Sequence, residues 1–345
     1  MAVALVGCGQ KETSKGTSSP GTPSPGKADT AVKQGTSKAG GPEFVLKYAE
    51  ANAYDNDNTA KAGEYFCKRV EELTDGRVKV EFYPGGQLGA NERQYGEQMM
   101  AGVLDFAHVN AASIESLVPD LGILNVPFLI KGPDHYARIW STKAGEYLQK
   151  KMNEKNLTVI GWFYCGDRNI FSKRPVKSLE DLNGLKLRTM QSEVIMDAWK
   201  ALGAAPVPMP YGEVYSALQT GTVDAAENHS FAYSAMKFYE VAKYYNLTKH
   251  QGCSCMIVAS SQTLKKLPDD LRNAVLQAGA EASAWLRGFN TLGWPSQLEW
   301  LKGKGVTIVE FDPKGVEEKI KPVHDKVAQK YGEIYQAIVD VAPKK

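Results

Sequence analysis

Apolar residues along this chain recur with two periods in turn, and their order predicts repeated strand–helix units. The segment FVLKYA is a short strand. Between Ala62 and Leu73, apolar residues recur every three or four positions, as in an amphipathic helix that ends at Gly76. Residues 78–82 alternate as a strand, a helix is predicted over 92–102, and DFAHVN is a further strand. Units of this kind predict a mostly parallel sheet with helices on its faces.

A second series of units follows Gly166 and completes a two-lobe α/β architecture. Its predicted elements are a capping signal at Ser178 and Asp181, the strand GLKLR, helices over 192–202, 214–218 and 230–242, and the strands TVDAAE and SCMIVAS. SCMIVAS should return the chain to the first lobe, which leaves a cleft between the lobes. A long helical stretch over 269–302, interrupted by Pro295, would lie across both lobes, because about thirty helical residues span about 45 Å.

The first 43 residues differ in composition from the rest of the chain. LVGC, ending at Cys8, resembles the lipobox of bacterial lipoproteins, although only seven residues precede the cysteine and none is Lys or Arg. We interpret residues 1–8 as a truncated lipoprotein signal and Cys8 as the lipidation site; the alternative is a cysteine in a short apolar end. Gly, Pro, Ser and Thr dominate residues 9–43 and no aromatic residue occurs there, which predicts a disordered tether.

Charge and hydropathy argue against two classes of function. The tether carries five lysines and three acidic residues, a surplus of two that equals the net charge of the whole chain, +2, so residues 44–345 sum to zero. This balance gives no support to nucleic-acid binding. No apolar run approaches the roughly 18 residues that a membrane-spanning helix needs. The sequence therefore predicts neither a nucleic-acid partner nor a helix across a membrane.

Motifs for metal, cofactor and catalytic chemistry are weak. Cys253-Ser-Cys255 behind His250 matches no common zinc spacing, and we predict no metal site. Both cysteines are interpreted as buried apolar residues, and a disulfide from Cys165 to either of them stays an open alternative. A near-match to a phosphate-binding loop at 21–28 lies in the predicted tether without a preceding strand. No nucleophile or HExxH signature is present, so the sequence predicts no enzyme and no cofactor.

Arg188, which ends the GLKLR strand, is the strongest single candidate for ligand binding. Leu185 and Leu187 occupy one face of this strand, while Lys186 and Arg188 share the other. Arg188 therefore points away from the core at a strand end beside the predicted cleft, where ligands bind in open α/β sheets. A guanidinium there can bind a carboxylate through two parallel hydrogen bonds; a surface arginine is the alternative.

Several sequence blocks, in order, resemble the substrate-binding subunits of tripartite ATP-independent periplasmic (TRAP) transporters. The blocks are YPGGQLGANER, LDFAHVN, NVPFLI, GDRNIFSKRPVKSLEDLNGLKLR, PMPYGEVYSALQTGTVDAAEN and FYEVAKYYNLTKH, and they are spread over most of residues 44–340. The resemblance implies a two-lobe periplasmic-binding-protein-like (Venus flytrap) α/β fold, with the long helix spanning both lobes. We place lobe I at 44–165 plus 253–290 and lobe II at 166–252 plus 291–340.

The same resemblance implies eight ligand-binding residues. The arginine that ends the GLKLR-type block pairs with the ligand carboxylate in such proteins, which maps to Arg188. The residues implied on the second lobe are Arg188, Arg168, Gln191, Tyr211 and Asn228, and those on the first lobe are Asn52, Glu92 and Asn110. Two arginines would offset an anion, while amides and a carboxylate exchange hydrogen bonds with hydroxyls. Sialic-acid-binding members carry an acidic residue where this chain has Asn110, which disfavours sialic acid.

The implied function is that of an extracytoplasmic receptor for a small organic acid, with a sugar acid such as a uronate favoured. Hinge closure would capture the acid, and the closed receptor would deliver it to the permease subunits of a TRAP transporter. A four-carbon dicarboxylate or a 2-oxo acid is the alternative ligand, and a sensory module for a membrane kinase is the alternative function. We expect a monomer in the periplasm or at the cell surface, anchored to the membrane through lipidated Cys8.

Overall fold

The computed structural model describes residues 41–53, 57–89 and 91–343, without the side chains of 291 and 292. The predicted lipobox at Cys8 and residues 9–40 of the predicted tether lie outside the described residues. The strands of the described part are β1 (Phe44–Ala49), β2 (Val78–Tyr83), β3 (Phe106–Asn110), β4 (Leu157–Ser172), β5 (Lys186–Thr189), β6 (Ala205–Pro208), β7 (Ala225–Asn228), β8 (Tyr244–Ser260) and β9 (Thr307–Glu310). Its helices are α1 (Asn58–Leu73), α2 (Glu92–Met100), α3 (Pro133–Ile139), α4 (Lys143–Asn153), α5 (Glu193–Ala201), α6 (Val214–Thr220), α7 (Ser230–Ala235), α8 (Ser261–Lys266), α9 (Asp269–Gly303), α10 (Val316–Tyr331) and α11 (Glu333–Asp340).

These strands form one sheet in the order β2-β1-β3-β8-β4-β7-β5-β6, with β9 beside β8. β1 pairs in parallel with β2 and β3, and β5 pairs in parallel with β6 and β7. The long central strands β4 and β8 are antiparallel to each other, and they also pair antiparallel with β7 and β3 respectively. The prediction of a mostly parallel sheet is therefore wrong at the centre of the sheet, where β4 and β8 are antiparallel. The repeated strand–helix units were visible in the sequence, but the direction in which distant strands pair was not.

Buried apolar side chains gather at the two ends of this sheet and give the molecule two lobes. In the first lobe, built on β1–β3, Tyr48 and Phe66 belong to one core cluster, which packs beside α1 and α9. In the second lobe, built on β5–β7, Leu187 and Trp199 form part of a core beneath α5 and α10, and Phe171 belongs to a further cluster beside α7. This α/β arrangement agrees with the two-lobe architecture predicted from the sequence.

β4 and β8 connect the lobes, and their pairing is irregular where they pass between them. The register shifts between Tyr164 and Asp167, and Gly166 at this bulge has a φ of +127°, a conformation that favours glycine. A Cβ at Gly166 would also lie 3.3 Å from the ring of Trp294. The predicted lobe boundaries at 165/166 and 252/253 fall at this bulge, and they stay a prediction.

α9 lies along both lobes as one continuous helix. Gly279 lets it approach β4 so closely that a Cβ there would lie 2.2 Å from the carbonyl oxygen of Ile160. Towards the second lobe, Nε2 of Gln297 donates to Oγ of Ser234 at 2.8 Å. Pro295 lies inside the helix, so the predicted interruption is wrong: one amide donor is lost, but contacts with both lobes hold the helix on either side. Neither α9 nor any other helix of the described residues has the length and apolar character to cross a membrane.

Two local predictions also differ from the structure. The predicted helix over 230–242 is broken, because Lys237 has a φ of +55°, a left-handed conformation that hydrophobic periodicity does not reveal. The capping signal at Ser178 and Asp181 corresponds only to a three-residue 3-10 turn, Glu180–Leu182. The carboxylate of Asp181 instead accepts a hydrogen bond from the backbone N–H of Lys177 at 2.7 Å.

Candidate ligand-binding site

A pocket of about 260 Å³ lies between the two lobes. The structure brings all eight residues implied by the family resemblance around it: Asn52, Glu92, Asn110, Arg168, Arg188, Gln191, Tyr211 and Asn228. Three of them come from the first lobe and five from the second. Small-molecule sites commonly have volumes of about 300–1,000 Å³, so this pocket suits a small solute. The arrangement agrees with the predicted site, and ligand binding by these residues stays a prediction.

Arg188 is a buried cation at the end of β5. Leu187 belongs to the second-lobe core, while Arg188 lines the pocket, as the strand alternation predicts. Arg188 is only 3% exposed, and its Nε and Nη2 atoms donate to the carbonyl oxygen of Met209 at 3.1 and 2.8 Å. Burial, together with the nearby charge of Arg168, lowers the pKa of Arg188 to about 10. Arg188 therefore stays charged at neutral pH, and no carboxylate among the described residues forms an ion pair with it.

Arg168 is also buried in the pocket, but its charge is paired within the protein. Its side chain extends from β4 and binds the Glu227 carboxylate through Nε and through Nη2, the latter at 2.9 Å. Burial alone would raise the pKa of Glu227, but Arg168 and a hydrogen bond with His250 lower it to about 2. Nη1 of Arg168 donates to Oδ1 of Asn228 at 2.9 Å. Arg168 is thus held in place and neutralised, in contrast to Arg188.

Asn228, Tyr211 and Gln191 surround Arg188 on the second-lobe wall. Nδ2 of Asn228 donates to the Tyr211 hydroxyl at 3.2 Å. The centre of the Tyr211 ring lies 5.7 Å from the guanidinium carbon of Arg188, and Phe238 packs edge-on against this ring. Gln191 follows β5 within two residues and is exposed at the pocket. This wall therefore presents a fixed aromatic ring and two amides beside one unpaired cation.

Glu92 and Asn110 face the pocket from the first lobe. Glu92 is the first residue of α2, where the helix N-terminus favours a negative charge, and its Oε2 accepts from the backbone N–H of Asn110 at 2.8 Å. Oδ1 of Asn110 accepts from the N–H of Ala112 at 2.9 Å, and its Nδ2 lies 3.4 Å from Sγ of Cys253. The first-lobe wall therefore carries a carboxylate, opposite in sign to Arg188.

Asn52 and His108 are joined through the buried carboxylate of Glu50. Oε1 of Glu50 accepts from the backbone N–H of Asn52 at 2.9 Å and lies 3.2 Å from Nδ1 of His108. Burial raises the pKa of Glu50. Burial lowers the pKa of His108, but Glu50 and Cys255 more than offset this and raise it well above its ordinary value. Nδ2 of Asn52 donates to Oγ1 of Thr59 at 3.1 Å, so this amide is already engaged by the protein.

Sequence reasoning missed several residues that line the pocket, above all a group of histidines and cysteines: His108, His229, Cys253 and Cys255. A signal for His108 was present, because it lies two positions before Asn110 on the predicted strand DFAHVN and therefore shares its face. Cys253 and Cys255 share a face of β8 for the same reason. The interpretation of these two cysteines as buried residues is confirmed, since each is 2% exposed, but they also form the floor of the pocket.

The thiols at this floor and beside it are free. Cys165, Cys253 and Cys255 form no disulfide in the structure, although an open alternative joined Cys165 to one of the others. Hydrogen bonds with the Cys165 and Cys255 thiols lower the pKa of Cys253 well below its ordinary value. His250, which precedes the cysteines in sequence, lies elsewhere, with its Nδ1 2.9 Å from Oγ1 of Thr248.

Comparison with known proteins places this two-lobe fold and its pocket in a family. Residues 49–335 match the model described as DctP, bacterial extracellular solute-binding protein, family 7. A solute-binding protein from Chromohalobacter salexigens is 35% identical over 286 residues, which cover 81% of this chain and 84% of that one. The chain belongs to the DctP family. DctP proteins are extracytoplasmic solute-binding components of transport systems, and they do not form a family of enzymes.

Solved DctP-family structures have the same fold. The sugar acid binding protein DctPAm from Advenella mimigardefordensis, crystallised with galactonate, gives a TM-score of 0.82 at 31% identity over 87% of this chain and 98% of that one. A TRAP periplasmic solute-binding protein from Chromohalobacter salexigens with bound d-glucuronate gives 0.80 at 32% identity, over 86% and 98%. The resemblance to TRAP substrate-binding subunits and the two-lobe α/β fold are therefore confirmed.

Proposed function

We propose that this DctP protein binds a sugar acid, either an aldonate or a uronate, as the receptor of a TRAP transporter. The observation that carries the proposal is Arg188, a buried cation in the pocket with no anionic partner among the described residues. A ligand carboxylate against its guanidinium would supply that partner through charge-assisted hydrogen bonds. The relatives crystallised with galactonate and d-glucuronate support this ligand class.

The opposite wall favours hydroxyl groups on the rest of the ligand. Glu92 can accept hydrogen bonds from hydroxyls, but it would repel a second carboxylate at close range. This charge argues against the four-carbon dicarboxylate. A simple 2-oxo acid such as pyruvate would satisfy Arg188 but would bring no hydroxyls to Glu92 and Asn52. A polyhydroxylated acid has groups that suit both walls.

The remaining second-lobe residues position the ligand around its carboxylate. Arg168 is neutralised by Glu227, and its hydrogen bond to Oδ1 of Asn228 fixes that amide at the pocket. Tyr211 presents its ring to the apolar face of a sugar and its hydroxyl to a polar group. Gln191, which is exposed at the pocket, can turn towards the ligand.

The position of the pocket between the lobes supports a closure mechanism. A ligand that contacts both walls has a higher affinity for the closed arrangement than for the open one, and this difference drives closure. The bulge at Gly166, where β4 and β8 pass between the lobes, is our candidate hinge. The closed receptor would then dock on the TRAP permease subunits.

Our proposal for the location of the protein in the cell depends on the sequence of its first 43 residues. We propose that Cys8 is lipidated and that residues 9–43 tether a monomeric receptor to the outer face of a membrane. Globomycin-sensitive processing and labelling of the chain with a radioactive fatty acid would test this proposal. Labelling that persists in a Cys8→Ala variant would contradict it.

A thermal-shift series tests the ligand class. Galactonate and d-glucuronate are compared with succinate, pyruvate and the neutral polyol galactitol. A ligand present at 100 times its Kd stabilises the folded protein by about 2.7 kcal/mol, so a sugar acid should raise Tm measurably while galactitol should not. Equal shifts with galactonate and galactitol, or a shift with succinate alone, would contradict the proposal.

A further inference from the structure

Two thiols and one imidazole line the floor of the pocket, a third thiol lies beside them, and the proposed function does not use these groups. Cys253 and Cys255 lie two residues apart on β8, with Sγ atoms 3.5 Å apart. Cys165 comes from the bulge of β4, and His108 comes from β3. The Sγ atoms of Cys165 and Cys255 and one ring nitrogen of His108 all lie within 4.8 Å of one another. None of these four residues is more than 2% exposed.

His108 is oriented as a metal-binding histidine would be. Its Nδ1 faces the carboxylate of Glu50 at 3.2 Å, and its buried Nε2 has no hydrogen-bond partner in the described part of the chain. A buried polar atom without a partner costs about 1–3 kcal/mol. Histidines that bind metals usually donate their other ring N–H to a carboxylate or carbonyl, which fixes the ring. Glu50 is in the position of such a carboxylate.

The measured distances between these sulfur and nitrogen atoms are close to the distances between ligands in a tetrahedral metal site. With zinc–sulfur bonds of about 2.3 Å, two sulfur ligands of a tetrahedral site lie about 3.8 Å apart. The Cys253 and Cys255 Sγ atoms are 3.5 Å apart, and the other separations among Cys165, Cys255 and His108 do not exceed 4.8 Å. Shifts of about 1 Å would therefore bring the donor atoms of Cys165, Cys255 and His108 to bonding distance of one cation, with Cys253, whose Sγ lies beside that of Cys255, as the fourth ligand.

Neighbouring donors favour ionised sulfur in this cluster. Nδ2 of Asn110 lies 3.4 Å from Sγ of Cys253 and 3.5 Å from Sγ of Cys255. Nη1 of Arg168 lies 3.6 Å from Sγ of Cys253. Three thiolates around a divalent cation leave one net negative charge, and Nη1 of Arg168, whose own charge Glu227 already balances, lies beside it as a hydrogen-bond donor.

We propose that Cys165, Cys253, Cys255 and His108 bind one thiophilic divalent cation, represented by zinc, in a site with three cysteine ligands and one histidine ligand. On binding, each sulfur that still carries a proton and the protonated His108, at Nε2, release those protons to solvent, and three sulfur atoms and Nε2 of His108 then each donate a lone pair to the cation. The cation joins β3, β4 and β8 beneath the solute pocket. Sequence spacing did not reveal the site, because its ligands come from three separate strands.

A disulfide between two of the thiols is the rival, since extracytoplasmic proteins often form disulfides. A disulfide would leave Nε2 of His108 without a partner, whereas a cation would bind this atom. Cys67 on α1 is a buried free thiol outside the cluster and provides a matched control.

Cobalt titration of the full chain tests the proposal. The protein is purified under reducing conditions, stripped with a chelator and titrated with Co²⁺, with thiols counted in parallel. We expect one cobalt per chain, with thiolate-to-cobalt charge transfer and the intense visible bands of tetrahedral cobalt, and we expect zinc to displace it. Cys67→Ser should keep this spectrum, and Cys255→Ser should lose it.

Glu50→Gln covers the case in which a ligand variant fails to fold. This variant keeps all four ligands, and loss of a carboxylate behind a metal-binding histidine weakens metal affinity about 10–100-fold. The same cobalt spectrum with that weaker affinity would support the site. The proposal is overturned if the reduced wild-type protein gives no charge-transfer band, if Cys255→Ser keeps the band, or if a disulfide forms in the presence of zinc.

Discussion

The two walls of the pocket hold their polar groups in opposite ways. On the second-lobe wall, Arg188 is buried, and no carboxylate of the described residues forms an ion pair with it. On the first-lobe wall, Glu92 accepts the N–H of Asn110, and Asn52 already bonds to Thr59. The second lobe therefore presents one cation that lacks an anionic partner. The polar groups of the first lobe already form hydrogen bonds within the protein, and they can form only their remaining hydrogen bonds with a ligand.

The two walls therefore contribute to ligand recognition in different ways. An uncompensated buried cation makes a carboxylate a fixed requirement, because the anion offsets an existing desolvation cost. The partly engaged groups of the first lobe each contribute less, and they can sort ligands by the pattern of their hydroxyls. Arg168 supports this distinction: it is the same residue type in the same pocket, but Glu227 already neutralises it.

Removing the partner of Arg168 should give the largest change. Glu227→Ala leaves a buried guanidinium without its anion, and breaking a buried pair costs about 3–5 kcal/mol of unfolding free energy. Urea unfolding measures this loss. Glu299→Ala, which removes an exposed partner of Lys302, is the control and should cost at most about 1 kcal/mol. Equal stabilities of the two variants would show that Arg168 does not depend on Glu227.

Arg188→Ala should weaken sugar-acid binding by about 2–5 kcal/mol, since it removes a desolvated charge-assisted pair. Isothermal titration calorimetry with galactonate measures the loss. Lys186→Ala is the matched control, because Lys186 lies two residues earlier on β5 and is exposed. If both variants bind alike, Arg188 is not the carboxylate site.

Acid should weaken the fold through Glu227. Its pKa is lowered to about 2 in the folded protein, so the pair with Arg168 adds stability above the unfolded value of about 4.3, and this contribution disappears as pH falls from about 4.3 through about 2. Because one pKa unit is worth about 1.4 kcal/mol, the lowered pKa of Glu227 corresponds to about 3 kcal/mol of stability. Urea unfolding between pH 7 and pH 2 should show this limb in wild type and a smaller one in Glu227→Gln. Identical pH profiles would contradict the pairing.

Glu92→Gln should have the smallest effect. The amide oxygen still accepts a hydroxyl hydrogen bond but without the charge, which costs about 1 kcal/mol, or roughly five-fold in the Kd for galactonate. Glu97→Gln, on the exposed face of the same helix, should leave the Kd unchanged. Tighter binding of galactonate to Glu92→Gln would show that Glu92 repels the ligand instead of accepting from it.

Local patterns predicted much of this molecule. The elements between Phe44 and Asn110 follow clear periods, and the two-residue alternation on β5 placed Arg188 off the core. Alternation cannot show what a side chain meets across the sheet, however. The pairing of Arg168 with Glu227 depends on the antiparallel contact of β4 with β7, two segments far apart in sequence.

Features with long-range or conformational causes escaped prediction. The continuity of α9 through Pro295 depends on packing against both lobes, and the break at Lys237 depends on a left-handed residue that no periodicity signals. The cluster of His108 with Cys165 and Cys255 joins three strands. In each case the sequence shows which residue types are present, but the fold determines which other residues they contact.

The central claim is that Arg188 recognises the carboxylate itself. The most direct test is a cycle of four titrations by calorimetry, with wild type and Arg188→Ala each titrated with galactonate and with the neutral polyol galactitol. We predict that wild type prefers galactonate strongly, that Arg188→Ala loses most of this preference, and that the coupling is at least about 2 kcal/mol, or roughly 30-fold. An Arg188→Ala protein that still prefers galactonate by the wild-type factor would contradict the claim.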